Sequence, residues 1–151
     1  MGNLSKNFSD TEFVCNPKQC GCGFCSPSAK LILTLQAIRD KAAAAVTIES
    51  GCRCTQRNKN VGSTVLGLAS NIKKGNPGDV TASPHTRGEA ADIRISGYTK
   101  QRAYDLIVAM HRAGELPWLR YIEGIRGSAN NVHVGVDDFK KRTTPYGGVN
   151  G

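Results

Sequence analysis

The sequence predicts an α+β fold, a small antiparallel sheet with helices packed on one of its faces. Two observations carry that expectation. Two long stretches repeat apolar residues every three or four positions, as amphipathic helices do, and several short ones alternate apolar with polar residues, as half-buried strands do. A chain of 151 residues suffices for one hydrophobic core, so a single domain over 1–151 is expected.

At the N-terminus, Ser9 is followed three places later by Glu12, the capping-box arrangement of a short helical turn. A cysteine-rich loop comes next, with Cys15, Cys20, Cys22 and Cys25; Cys52 and Cys54 lie further on. Free thiols are the first expectation for a reducing cytosol. Three disulfides among the six, in any of about 15 connectivities, and a structural zinc on four of them are the alternatives, although their spacing is not that of closely paired zinc cysteines. Over 29–45, Leu31, Leu35, Ile38 and Ala42 share one helical face, and Ser28 and Pro27 stand at its start.

Residues 46–49 read as a strand that runs into Ser50, Gly51, Cys52 and Arg53. In 63–82, Leu66, Leu68 and Ile72 suggest a brief helix. The cluster Lys73-Lys74-Gly75-Asn76-Pro77-Gly78 is a turn, and the whole segment is expected to wall or cover a cleft. Residues 91–95 alternate as a strand, and Ser96-Gly97 ends it. A second helix spans 99–113, with Ala103, Leu106, Ile107 and Met110 inward and Gly114 as its stop. His111 is expected on that helix's exposed face.

Two further strands, 118–125 and 131–136, are joined by a loop over 126–130. Paired as a hairpin, they set Ile125 opposite Asn131 and Glu123 opposite His133, so Glu123 and His133 share one side of the sheet. A slip of one residue would turn Glu123 away.

The totals exclude some classes of function. No apolar run approaches the roughly 18 residues of a membrane span, and the first residues lack the hydrophobic region of a secretion signal. The formal charge of +8 favours anionic partners. The basic residues, such as Lys73, Lys74, Lys140, Lys141 and Arg142, are scattered and not interleaved with aromatics, and none of the nucleic-acid motifs is present. No nucleic-acid partner is expected.

The chemistry concentrates in Ser83-Pro84-His85-Thr86-Arg87-Gly88-Glu89-Ala90-Ala91-Asp92. His85 stands on the loop entering a strand, Gly88 lets the backbone turn, and Asp92 sits near the strand's start. One imidazole and one carboxylate suit zinc, at roughly 2.0–2.2 Å from each donor, with a third protein ligand and a position left for water. His133 is the better candidate for that third ligand, and His111, inside a helix, the poorer one.

This stretch resembles the Ser-x-His-(x)6-Asp signature of the zinc D-alanyl-D-alanine peptidases, a family of cell-wall carboxypeptidases and phage endolysins with the hedgehog signalling domain as a fold relative. The resemblance runs from about Phe8 to about Val136. It takes in the cysteine-rich opening, Ser50-Gly51-Cys52-Arg53 and the later strand with His133. It implies a hedgehog/DD-peptidase-like fold whose sheet carries Zn2+ on His85, Asp92 and His133, with Arg53 reaching the pocket and Ser83 bonding substrate or bracing the ligand loop.

Relatives often place an acidic residue three positions before the last histidine, and that position is Asn130 here. Glu123 is therefore the expected general base, Asp137 the second choice and Glu89 the third. The implied function is hydrolysis of peptide bonds in bacterial peptidoglycan stem peptides by a monomeric phage endolysin. Such an enzyme waits in the host cytoplasm before lysis and then acts on the cell wall. The alternative is a zinc-binding pseudoenzyme serving as a structural or wall-binding module.

Overall fold

The structure is a computed structural model, and it describes residues 2, 4–13, 27–51, 88–136 and 145–149. Arg53, Ser83, His85, Asp137, the six cysteines and the segment 63–82 lie outside the described residues. A short 3-10 turn, Asp10–Glu12, precedes helix α1 (Ala29–Ala42) and strand β1 (Val46–Ser50). Strand β2 (Ala90–Ile95), helix α2 (Lys100–Arg112), and strands β3 (Tyr121–Gly124), β4 (Val132–Gly135) and β5 (Tyr146–Val149) complete the described elements.

The strands form one sheet in the order β1-β2-β4-β3-β5. The pairs β1/β2, β2/β4 and β4/β3 are antiparallel. The fold is α+β as expected, but β5 runs parallel to β3, so the sheet is mixed. Pro145-Tyr146-Gly147-Gly148 reads as a turn in isolation. It becomes a strand because docking against β3 satisfies its backbone, with the Ile122 N–H donating to Pro145 O at 3.0 Å.

Both helices pack on one face of the sheet. Leu31, Leu35 and Ile38 of α1 and Ala103, Ile107 and Met110 of α2 join Ala91, Ile93, Ile95, Ile122, Val132 and Val134 in one buried cluster. Each large aliphatic side chain so buried contributes roughly 1.5–3 kcal/mol. The exposed ion pair Lys41–Glu115, at 3.3 Å, is of a kind worth at most about 1 kcal/mol, so apolar packing holds the helices down. Phe8 and Phe13 extend the cluster beneath the opening segment. The Ser9 N–H donates to Glu12 Oε2 at 2.6 Å, the expected half of a capping box.

Local signals set three of the four ends of α1 and α2. The Leu31 N–H donates to Ser28 Oγ at 3.4 Å and the Arg102 N–H to Thr99 Oγ1 at 3.1 Å, so a hydroxyl caps each helix. Helix α2 closes with a Schellman pair, the Gly114 N–H on His111 O and the Glu115 N–H on Met110 O.

Two further expectations change. The first helix stops at Ala42, not 45, because Ala43 adopts a left-handed conformation (φ 51°) that turns the chain into β1. His111 is half-buried, with Nδ1 2.6 Å from Tyr146 Oη and its ring edge-on to that tyrosine. The unforeseen β5 supplies that partner.

The left-handed geometry at Ala43 costs an L-residue roughly 1–2 kcal/mol, whereas a glycine loses about 0.4–1 kcal/mol through its freer unfolded chain. Ala43→Gly should therefore raise stability by up to about 1 kcal/mol. In thermal denaturation this reads as a midpoint about 2–4 °C higher, and a lower midpoint would contradict it.

Candidate metal centre

The face of the sheet turned away from α1 and α2 carries polar side chains, four of which fall in one row. Asp92 pairs with Ser50 on one side and with His133 on the other, and His133 pairs in turn with Glu123. Directly opposed residues point to the same side of a sheet, with Cβ atoms about 4.5–5.5 Å apart. Four strands thus bring Ser50, Asp92, His133 and Glu123 side by side. The hairpin register expected from the sequence is the one observed, with the Ile125 N–H donating to Asn131 O at 3.0 Å and Glu123 opposite His133.

Strand alternation explains why Asp92 and His133 face outward, whereas Ser50 meets Asp92 through a shift of register between Ile48, which packs on the core, and Ser50. In β2, Ala91, Ile93 and Ile95 go to the core, leaving Asp92 and Arg94 on the other side. In β4, Val132 and Val134 go inward and His133 outward. The same alternation sends Glu89 to the side of Ala91, away from this row. The Arg94 Nε–Glu49 Oε1 ion pair, at 3.2 Å and well exposed, lies on the row's face beside Asp92.

The centre of the row is close-set. His133 Nδ1 lies 2.9 Å from Asp92 Oδ1, and the His133 side chain is 9% exposed and that of Asp92 14%. Two lone pairs facing each other at that distance, largely out of water, repel unless a proton or a metal ion lies between them. Two donors on one tetrahedral zinc stand about 3.3 Å apart. The pair therefore fits a shared ion after widening by a few tenths of an ångström. Its donors, one imidazole nitrogen and one carboxylate oxygen, are of the types zinc accepts.

Among the described residues no group of three or more His, Cys, Asp or Glu converges on one point. The expected third ligand, His85, lies outside them. What is described of its approach is Gly88, whose φ of 67° gives the tight turn expected there. Gly88 O also accepts a 2.8 Å bond from the Ser28 N–H at the start of α1, which fixes the entry to β2.

Next to His133, Glu123 accepts a 2.9 Å hydrogen bond on Oε2 from Tyr121 Oη. The Tyr121 ring stands edge-on to His133, with centroids 6.0 Å apart. Tyr121 is not singled out by the sequence, although its place two residues before Glu123 puts both on the same side of one strand. His111 is far from this role, held at the end of α2 by Tyr146.

Loss of either central donor should weaken zinc binding. In competition against a chromogenic chelator, Asp92→Asn and His133→Gln should each lower affinity by more than about 100-fold, a larger effect than losing a ligand's outer partner produces. An unchanged affinity in both variants would place the metal elsewhere.

The sequence profile of the peptidase M15 family matches residues 6–135. No curated protein and no solved structure matches the chain.

Proposed function

Because the chain belongs to the peptidase M15 family, peptidases that are typically zinc-dependent, we propose that it hydrolyses peptide bonds in peptidoglycan stem peptides as a phage endolysin. The observation that carries this reading is the row Asp92–His133–Glu123 on the face of the sheet opposite α1 and α2, two facing metal-type donors with a carboxylate on the neighbouring strand.

In this reading His85, Asp92 and His133 hold Zn2+. A bound zinc ion supplies Lewis acidity to the scissile carbonyl and lowers the pKa of a water toward about 7. Glu123 takes a proton from the attacking water and returns it to the leaving amine nitrogen. Its neighbouring strand position brings the carboxylate within a side chain's reach of His133, and Tyr121 holds one of its oxygens. Arg53 binds the carbonyl oxygen as its negative charge grows, or a substrate carboxylate. Ser83 bonds substrate or steadies the ligand loop. Asp137 is the second choice of base.

The charge of +8 suits a phosphate-rich bacterial envelope. No helix among the described residues is long and apolar enough to cross a membrane. The reading includes a monomer that accumulates in the host cytoplasm and meets the wall at lysis.

Purified sacculi digested with the zinc-loaded protein, with mass analysis of the released muropeptides, test the proposal. New peptide termini should appear, vanish with a chelator and return with added zinc. Glu123→Gln should retain stoichiometric zinc and lose about 100- to 10,000-fold in turnover. If sacculi of several wall chemistries release nothing while zinc still binds, the protein is a zinc-binding module and not a hydrolase.

A further inference from the structure

We propose that Tyr121 is a positioning residue that fixes the Glu123 carboxylate on the strand beside His133, with β5 backing the Tyr121–Glu123 pair through Gly147. The proposal rests on the reading of Glu123 as the general base. It adds to that reading what fixes the carboxylate in space.

Three observations support it. Tyr121 Oη donates to Glu123 Oε2 at 2.9 Å, from two residues earlier on the same strand. The Tyr121 ring also meets His133 edge-on at 6.0 Å, so one side chain registers both neighbours. It reaches His133 because its own partner across the ladder is Gly135, which carries no side chain to block the ring.

The third observation comes from β5. A Cβ on Gly147 would collide with Tyr121 Oη and lie 2.7 Å from Glu123 Cβ and 2.9 Å from Glu123 Oε2. Backbone therefore fills the space behind the Tyr121–Glu123 pair, and only glycine leaves room for it. Strand β5 lies beyond the residues 6–135 matched by the family profile, so this backing is contributed from outside the matched region.

A glutamate on a strand has several rotamers, and a proton acceptor works only within hydrogen-bond reach of its proton. A misplacement of about 1 Å can cost about 100-fold in rate. A phenol anchored on one neighbour and donating to the carboxylate removes much of that freedom before substrate arrives.

The test uses the zinc-loaded full chain and compares Tyr121→Phe, Gly147→Ala and Glu123→Gln, alone and paired. Tyr121→Phe keeps the ring on His133 and removes only the hydroxyl. It should lower kcat about 10- to 100-fold with KM little changed and zinc content intact. Gly147→Ala, which leaves Tyr121 and Glu123 chemically whole, should lower kcat in the same way. In the Glu123→Gln background neither change should reduce the residual turnover further.

A second readout needs no activity. In thermal melts of the metal-free protein, the shifts of Tyr121→Phe and Glu123→Ala should be non-additive by about 2 °C or more. Wild-type kcat in Tyr121→Phe while Glu123→Gln is inactive would overturn the positioning role alone. So would an equal loss from Tyr121→Phe in both backgrounds, or additive melts. Wild-type turnover in Glu123→Gln would instead remove the base assignment, and the positioning role with it.

Discussion

Everything on the polar face depends on the register between β2 and β4. Pairing Ala91 with Val134 and Ile93 with Val132 commits the apolar members of both strands to the helices, and it sets Asp92 against His133. The side-chain period of a strand is two, so a shift of one residue would exchange the faces. Asp92 and His133 would then enter a core in which Ile93, Val132 and Val134 are fully buried. An unpaired charge there costs several kcal/mol, more than any one aliphatic side chain gains by burial. The hydrophobic face therefore fixes the chemistry of the opposite one, and no separate device is needed to bring the two donors together.

The sheet order distributes the work around that pair. The strands that carry Asp92, His133 and Glu123 all lie inside the sheet, each laddered on both sides, so the backbone of all three positions is held from both flanks. Glu123 stands one strand further out, where its position depends on side-chain contacts as well as on backbone. The contacts are with Tyr121 and, through the missing side chain at Gly147, with β5. At the opposite end, Glu49 and Arg94 pair in solvent and contribute little to stability.

How much of this was legible in the chain depended on how local each signal was. The hairpin register could be read because a five-residue loop and two alternating strands leave one arrangement that buries Ile122, Val132 and Val134 together. The start of α1 could be read from Ser28, whose hydroxyl bonds the first turn, and the start of α2 falls one residue after the expected one because Thr99 caps it. The end of α1 could not, since alanine favours continuing a helix and it is the turn into β1 that forces Ala43 to φ 51°. Strand β5 was hidden by its own composition, because Pro145, Gly147 and Gly148 are poor strand residues until β3 supplies partners. Missing β5 concealed the bond that half-buries His111 and the role of Gly147. The pairing of Asp92 with His133 lay between these cases. Sequence indicated both as ligands, but they are 41 residues apart and meet only through the sheet.

The most direct measurement is zinc K-edge X-ray absorption of the protein loaded with one equivalent of the metal. A first shell of nitrogen and oxygen donors at about 2.0–2.2 Å, with imidazole outer-shell scattering and no sulfur, is the expected result. A shell dominated by sulfur at about 2.3 Å would put the ion on the cysteines. The facing donors on β2 and β4 would then be an ordinary hydrogen-bonded pair.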